Sequence, residues 1–229
     1  MIGPVRRNPS TVVVLAGRTT EQVLATVGRS LNVVLVRPEE PPPGAGTRTT
    51  GGGIEGAAST LRRAAGISAP YVLVTADPLS SVAAAWQAMW EVTTEPRGSD
   101  EFELRVAEAL AAWRAKRFEL PDYYLVLAEE IASGGASDPG STATPGASGA
   151  GELRADFYLG PLRAVRPNRV AVAAGSSPSA QADALLSELG SLRHGPWWPS
   201  LDEVFRTARG FYPGTLAESP SAGQASLLS

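Results

Sequence analysis

The sequence predicts an α/β fold, with a mostly parallel sheet, helices on both faces and an added antiparallel hairpin. Six short runs rich in β-branched or aromatic residues alternate with helix-like segments through the first half of the chain. Four of these runs are almost entirely apolar, which is typical of parallel strands covered on both faces. Two later runs follow one another with no helix between them, and this predicts the antiparallel pair.

The strands are predicted from short apolar runs that are bounded by turn residues. In chain order they are Thr11–Ala16, Asn32–Val36, Tyr71–Thr75, Tyr123–Ala128, Leu153–Leu159 and Arg169–Ala174. Alternation with helices implies right-handed crossovers, and hence parallel neighbours, for the early strands. The fourth and fifth strands are the predicted hairpin.

Three helices are predicted in the first half of the chain from the spacing of apolar residues. A short one runs from about Thr20 to Gly28. The second begins near Ile54, and Gly66 is its predicted C-cap. The third follows Asp77-Pro78, in which the aspartate is the predicted N-cap and the proline takes the first helical position.

Three more helices are predicted from capping residues and apolar spacing in the second half. Asp100 and Glu103 resemble a capping box and open the fourth helix. The fifth begins at Ser177-Pro178 and ends at Gly190. The sixth begins at a second capping box, Ser200 with Glu203, and the predicted order is therefore β-α-β-α-β-α-α-β-β-β-α-α.

Composition divides the chain into one folded unit with two flexible ends. Residues 11–213 are predicted to form a single α/β domain, with a flexible N-terminus at 1–10 and a disordered tail at 214–229. The segment 133–151 consists almost entirely of Gly, Ala, Ser, Thr and Pro, so we predict a flexible loop there.

The composition excludes several classes of protein. The 229 residues include no cysteine, which excludes disulfide scaffolds, thiolate metal sites and cysteine nucleophiles. A net charge of −3 argues against a nucleic-acid or anionic-membrane binder. No apolar run approaches the roughly 20 residues of a membrane helix, and the N-terminus does not resemble a signal peptide, so we expect a cytoplasmic protein.

Motifs for catalysis and phosphate binding are absent. His194 is the only histidine, and Lys116 is the only lysine and lies inside a predicted helix, so the P-loop pattern fails. The glycines at Gly44 and Gly46 do not complete G-x-G-x-x-G, because Thr49 stands in the third glycine position. We expect a non-enzymatic protein without cofactor or metal, although an enzyme that uses carboxylates and arginines stays open.

A ligand site is predicted where the parallel strands end, because ligands of open α/β sheets bind beyond their carboxyl ends. The segments there include Asp77-Pro78 and six residues that could together hold an anion: Arg18, Thr19, Thr20, Arg37, Ser176 and Ser177. The alternative is that Thr19, Asp77 and Ser177 are simply helix N-caps, each stabilising its helix by ~1 kcal/mol.

Two consecutive tryptophans suggest a partner-binding surface. Trp197 and Trp198 stand between Pro196 and Pro199, outside the predicted helices. Either both form a contact patch, since tryptophan is enriched in interface hot spots, or one fills the edge of the core. We therefore predict a protein-binding or scaffolding component of a multi-protein bacterial system, with a protein partner or self-association. The alternative is a small-ligand or nucleotide-binding sensor with the anion pocket.

Overall fold

The computed structural model is an α/β fold built on a five-stranded sheet. It describes residues 10–17, 19–39, 53–91, 97–129, 155–192 and 194–212. The predicted loop at 133–151, the tail at 214–229 and nearly all of the predicted flexible N-terminus lie outside these residues. The strands are β1 (Thr11–Gly17), β2 (Val33–Val36), β3 (Tyr71–Val74), β4 (Tyr123–Glu129) and β5 (Val170–Gly175).

All strand pairs in the sheet are parallel, in the order β2-β3-β1-β4-β5. The parallel sheet is as predicted, but the antiparallel hairpin is wrong. β4 pairs in parallel with β5, Leu125 opposite Ala171 and Leu127 opposite Ala173. A parallel neighbour requires a crossover connection, and the chain between these strands includes helical structure on one face of the sheet.

The predicted strand Leu153–Leu159 is helical over its described residues. A π-helical turn at Tyr158–Leu162 runs on into an α-helical turn at Arg163–Val165, and we call the two together the π segment. Phe157, Tyr158 and Leu162 are all buried, which is the spacing of a helix face rather than of a strand. The apolar run in the sequence was too short to distinguish the two periods.

Within the described residues, six longer helices complete the fold, and each overlaps a predicted one. Two of the predicted starts are wrong, because the third helix begins at Ser80 rather than at Pro78 and the fourth begins at Arg97, ahead of the predicted capping box at Asp100.

Ser177 and Ser200 are the N-caps that the sequence predicted, and the hydroxyl of each accepts a hydrogen bond from a backbone N–H three residues later. The first helix is capped in the same way by Thr20, so the predicted cap at Thr19 is wrong by one residue. The helices are α1 (Glu21–Val27), α2 (Ile54–Ala65), α3 (Ser80–Glu91), α4 (Arg97–Arg114), α5 (Pro178–Gly190) and α6 (Leu201–Gly210).

Helices cover both faces of the sheet, as predicted. On one face α1 and α5 pack against the sheet, with Val23 and Leu185 buried beside Val13. On the other face α2, α3, α4, α6 and the π segment bury a larger apolar core, which includes Trp86 and Phe205. Successive residues of β1 therefore reach opposite cores, so both of its faces are apolar.

The connections leave the sheet on different faces beside β1. The helix that follows β1 covers one face, whereas the helix that follows the neighbouring strand β3 covers the other. Such a divergence opens a crevice at the carboxyl ends of the two strands, the usual ligand position in open α/β sheets. Among the described residues, no helix is both long enough and apolar enough to cross a membrane.

Candidate functional site

The crevice at the carboxyl ends of β1 and β3 contains a cavity of about 230 Å³. Its walls come from the end of β1, the loop after β3, the first turns of α2 and α3, and the π segment. The residues that matter most for its chemistry are Gly17, Thr75, Asp77, Ser80 and Tyr158. The described elements thus meet where the topology alone predicts a ligand.

Gly17 shapes one wall of the cavity. Its φ is +91°, a conformation that side-chain-bearing residues rarely adopt. A Cβ atom at this position would also lie 2.6 Å from the carbonyl oxygen of Leu127 on β4. The close approach of β1 to β4 therefore requires glycine at the end of β1.

Asp77 lies three residues beyond the end of β3 and is partly exposed at the cavity. Its Oδ1 accepts a hydrogen bond from the backbone N–H of Leu79 at 2.9 Å and another from the Tyr124 hydroxyl at 3.0 Å. Its Oδ2 accepts one from the Tyr158 hydroxyl. The contact with Leu79 lies in the turn before α3, which begins at Ser80 and not at Pro78 as predicted, and two phenols hold the carboxyl group in place.

No basic side chain in the described part of the chain balances the charge of Asp77. None of the described residues forms an ion pair with it, and its hydrogen-bond donors are neutral. Burial raises the pKa of Asp77 above its ordinary value of 3.8, although the hydrogen bonds from Tyr158, Leu79 and Tyr124 act in the opposite direction. Burial, together with the nearby carboxylate, also raises the pKa of Tyr124 well above 10, so that hydroxyl stays a donor.

The residues of the predicted anion pocket are spread along the edge of the sheet. Arg37 forms an ion pair with Glu21 at 2.8 Å, and both side chains are substantially exposed. Ser176 and Ser177 follow β5, which lies at the opposite end of the strand order from β2, the strand before Arg37. At ~4.8 Å between neighbouring strands, β2 and β5 are about 19 Å apart.

None of the described members of that set lines the cavity. Ser177 caps α5, as the alternative interpretation predicted, but α1 is capped by Thr20, and Thr19 lies between β1 and that cap. Arg18 lies outside the described residues. The anion-binding role of these six residues stays a prediction.

The two tryptophans have different surroundings. Trp198 is buried, and its indole N–H donates a hydrogen bond to the carbonyl of Pro121 at 2.7 Å. Trp197 is half-buried and covers one face of the Arg169 guanidinium at 4.9 Å, while Tyr123 covers Arg169 at the same distance. The Trp197 ring therefore has a structural contact, and partner binding by this pair stays a prediction.

Arg169 explains why the loop before α6 is held in place. It is buried, and its guanidinium donates hydrogen bonds to the backbone carbonyls of Gly195, Pro196 and Asp122. Three carbonyl dipoles and two aromatic rings thus surround the charge. Sequence reasoning missed this residue, because arginine is abundant in the chain and no local pattern distinguishes this one.

Sequence reasoning placed Asp77 at the correct edge of the sheet but not Tyr124 and Tyr158 beside it. These tyrosines lie 47 and 81 positions further along the chain. A signal was present for Asp77, because an acidic residue that follows an apolar strand lies at the ligand-binding edge. Tyr158 gave none, since it falls in the segment whose helical structure was not predicted.

No protein family, curated protein or solved structure matches the chain, so the candidate site rests on its own geometry. Within the part of the chain that the structure describes, no group of three or more His, Cys, Asp or Glu side chains could hold a metal ion.

Proposed function

We propose that this chain is a small-ligand-binding domain and that its ligand occupies the crevice at the carboxyl ends of β1 and β3. The observation that carries the proposal is the Asp77 carboxyl group, held by two tyrosine hydroxyls on the wall of a cavity at this edge. The alternative drawn from the sequence, a ligand-binding sensor, included this edge of the sheet but assigned other residues to the site.

The burial of Asp77 and the size of the cavity support ligand binding over a purely structural role. A single hydrogen bond to Leu79 would suffice for a cap, whereas Asp77 also carries the cost of burial. A partly buried carboxyl group is costly to keep in a fold, and such groups concentrate at functional sites. The cavity volume is below the ~300–1,000 Å³ of sites for drug-sized molecules, which favours a compact ligand.

An amide-resolved NMR titration with a panel of small metabolites tests the proposal. Binding should shift the amide signals of Gly17, Ala57 and Thr75, which belong to lining residues. Ligand at a hundred times its Kd should also stabilise the fold by ~2.7 kcal/mol.

A pair of serine variants makes this test specific. Ser80 is exposed and lines the cavity, whereas Ser59 is exposed on α2 and does not line it. Ser80→Trp should block binding and Ser59→Trp should leave it unchanged. A panel in which no compound shifts the lining amides, or a ligand that Ser80→Trp binds as well as the parent chain does, would contradict the proposal.

Protein binding is the second proposal, and one pair of aromatic rings favours it. Trp90 and Tyr212 are 36% and 61% exposed, with ring centroids 5.2 Å apart. Exposed aromatic side chains of this kind are enriched in interfaces.

Sedimentation of the chain across a concentration series tests self-association. Trp90→Ala should weaken it, and Leu31→Ala, a change at a fully exposed leucine elsewhere, should not.

A further inference from the structure

The chemistry of the crevice indicates what kind of ligand it accepts. We propose that it binds a compact organic cation, through an ion pair between a primary ammonium group and the Asp77 carboxylate. This inference rests on the proposed ligand-binding function and specifies the ligand class for the same site.

The charge of the cavity lining favours a cation. Among the described residues that line the cavity, Asp77 is the only one with a charged side chain. The others supply apolar surface, backbone groups and the hydroxyls of Thr75, Ser80 and Tyr158. A charge taken out of water is costly unless it is paired, and the three donors that now contact Asp77 are neutral. A ligand with a positive charge supplies the missing partner.

The Asp77 carboxylate has hydrogen-bonding capacity left for a ligand. Its Oδ1 already accepts two hydrogen bonds, from Leu79 and Tyr124. Its Oδ2 accepts one, from Tyr158, which itself lines the cavity. Because each carboxylate oxygen offers about two acceptor positions, Oδ2 can accept a further N–H from a ligand. An ammonium group has three donors, and the wall hydroxyls of Thr75 and Ser80 are acceptors for the others.

The N-terminus of α2 acts against a cation, but more weakly. Gly53, its N-cap, lines the cavity and makes no side-chain capping bond. The N-terminus of α3 also lies at the cavity, and there the Asp77 carboxylate itself accepts from the backbone N–H of Leu79, just before that helix. A helix end interacts with a charge more weakly than a hydrogen bond to a charged group does, so the carboxylate determines the preferred sign of the ligand.

A metal ion fits the site less well than an organic cation. Calcium takes about six to eight oxygen ligands, and zinc sites use about four protein or water ligands. Asp77 is a single acidic side chain, and the described part of the chain has no cluster of three metal-ligating residues. The apolar surface of Leu15, Ala16 and Ala57 suits the carbon chain of an amine instead.

Three probes with the same four-carbon chain test the inference by amide-resolved NMR titration at physiological ionic strength. They are n-butylammonium, the neutral 1-butanol and the anionic butyrate. We expect butylammonium to shift the amides of Gly17, Ala57 and Thr75 saturably. The other two should bind about tenfold more weakly or worse, as loss of a charged hydrogen bond predicts.

Carboxylate variants complete the test. Asp77→Asn keeps the size of the side chain and removes its charge, and should weaken butylammonium binding about tenfold or more. Asp122→Asn is the matched control, because its carboxylate accepts from the backbone N–H of Val12 at 2.7 Å, next to the start of β4 and away from the cavity. Should Asp77→Asn fail to fold, the comparison of the three probes on the parent chain decides the inference by itself.

The possible failures are distinct. Tighter binding of butyrate or butanol than of butylammonium at the lining amides would overturn the cation inference and leave a ligand site in the crevice. Equal binding of butylammonium to the parent chain and to folded Asp77→Asn would overturn it as well. If neither these probes nor the metabolite panel shifts the lining amides, the proposed function fails together with the inference.

Discussion

Replacing Trp198 by alanine tests how the loop before α6 closes the larger core. Trp198 is 6% exposed, and its ring packs edge-on against that of Tyr124 with centroids 5.8 Å apart. Loss of a buried tryptophan costs about 3–5 kcal/mol through lost contacts and the cavity that remains. The change also leaves the Pro121 carbonyl without its indole donor, which adds roughly 1 kcal/mol. We therefore expect the free energy of unfolding to fall by about 5 kcal/mol.

Two further variants separate the sources of this loss. Trp198→Phe keeps most of the ring and removes the hydrogen bond to Pro121, so it should cost about 1–3 kcal/mol. Trp197→Ala is the matched control at the neighbouring position. It removes a half-buried ring that covers Arg169 and packs at the edge of the larger core, and should cost less, about 1–2 kcal/mol.

Urea denaturation followed by circular dichroism measures all three variants, with the slope of each transition compared with that of the parent chain. A natural domain has only ~5–15 kcal/mol of stability, so Trp198→Ala should unfold at a much lower urea concentration or be partly unfolded without urea. Our reasoning is refuted if Trp198→Ala costs less than about 1.5 kcal/mol, or no more than Trp197→Ala, because both are far below the cost of a buried tryptophan.

Three other predictions concern Arg169, Gly17 and Asp77. Arg169→Met keeps the apolar stem of the side chain but leaves three backbone carbonyls without their donor. We therefore expect the free energy of unfolding, measured by urea denaturation, to fall by about 3 kcal/mol. A fall below about 1 kcal/mol would show that water replaces the guanidinium. Gly17→Ala should cost about 2 kcal/mol or more in the same assay, because the new Cβ meets the Leu127 carbonyl and the φ of residue 17 is positive. Unchanged stability would mean that β1 can shift at this position. The folded-state pKa of Asp77 lies above 3.8, so the folded state holds its proton more tightly and the unfolding free energy should fall as pH rises from 3.8 through that folded pKa. Asp77→Asn should lack this decline in denaturation measured across pH, and an identical decline in both proteins would assign it to another group.

Local sequence patterns were enough to predict most of the secondary structure. Apolar runs such as Thr11–Ala16 predict strands because both faces of a central parallel strand must be buried. Hydroxyls at Thr20, Ser177 and Ser200 mark helix starts because each can satisfy a free backbone N–H nearby. These signals depend only on neighbours within a few positions, so they can be read without knowing the fold.

The same reasoning explains the error at Leu153–Leu159. A short apolar run satisfies both a strand and a helix, and the choice between them depends on what the segment packs against. Here Phe157 and Tyr158 are both buried, with Phe157 against Trp86 and Tyr158 against Tyr124. Those partners lie far away in the chain, so the sequence offers no local signal for them.

The sequence by itself determined where most strands and helices lie, that the sheet is mainly parallel, and that Asp77 follows a strand at its carboxyl end. Only the tertiary structure decided the strand order, and with it the separation of Arg37 from Ser177 and the position of the crevice beside β1. It also decided that one tryptophan is buried and the other covers Arg169. The physical reason is that burial and charge pairing are properties of contacts between distant segments, whereas helical periodicity and capping arise within a few residues of the chain.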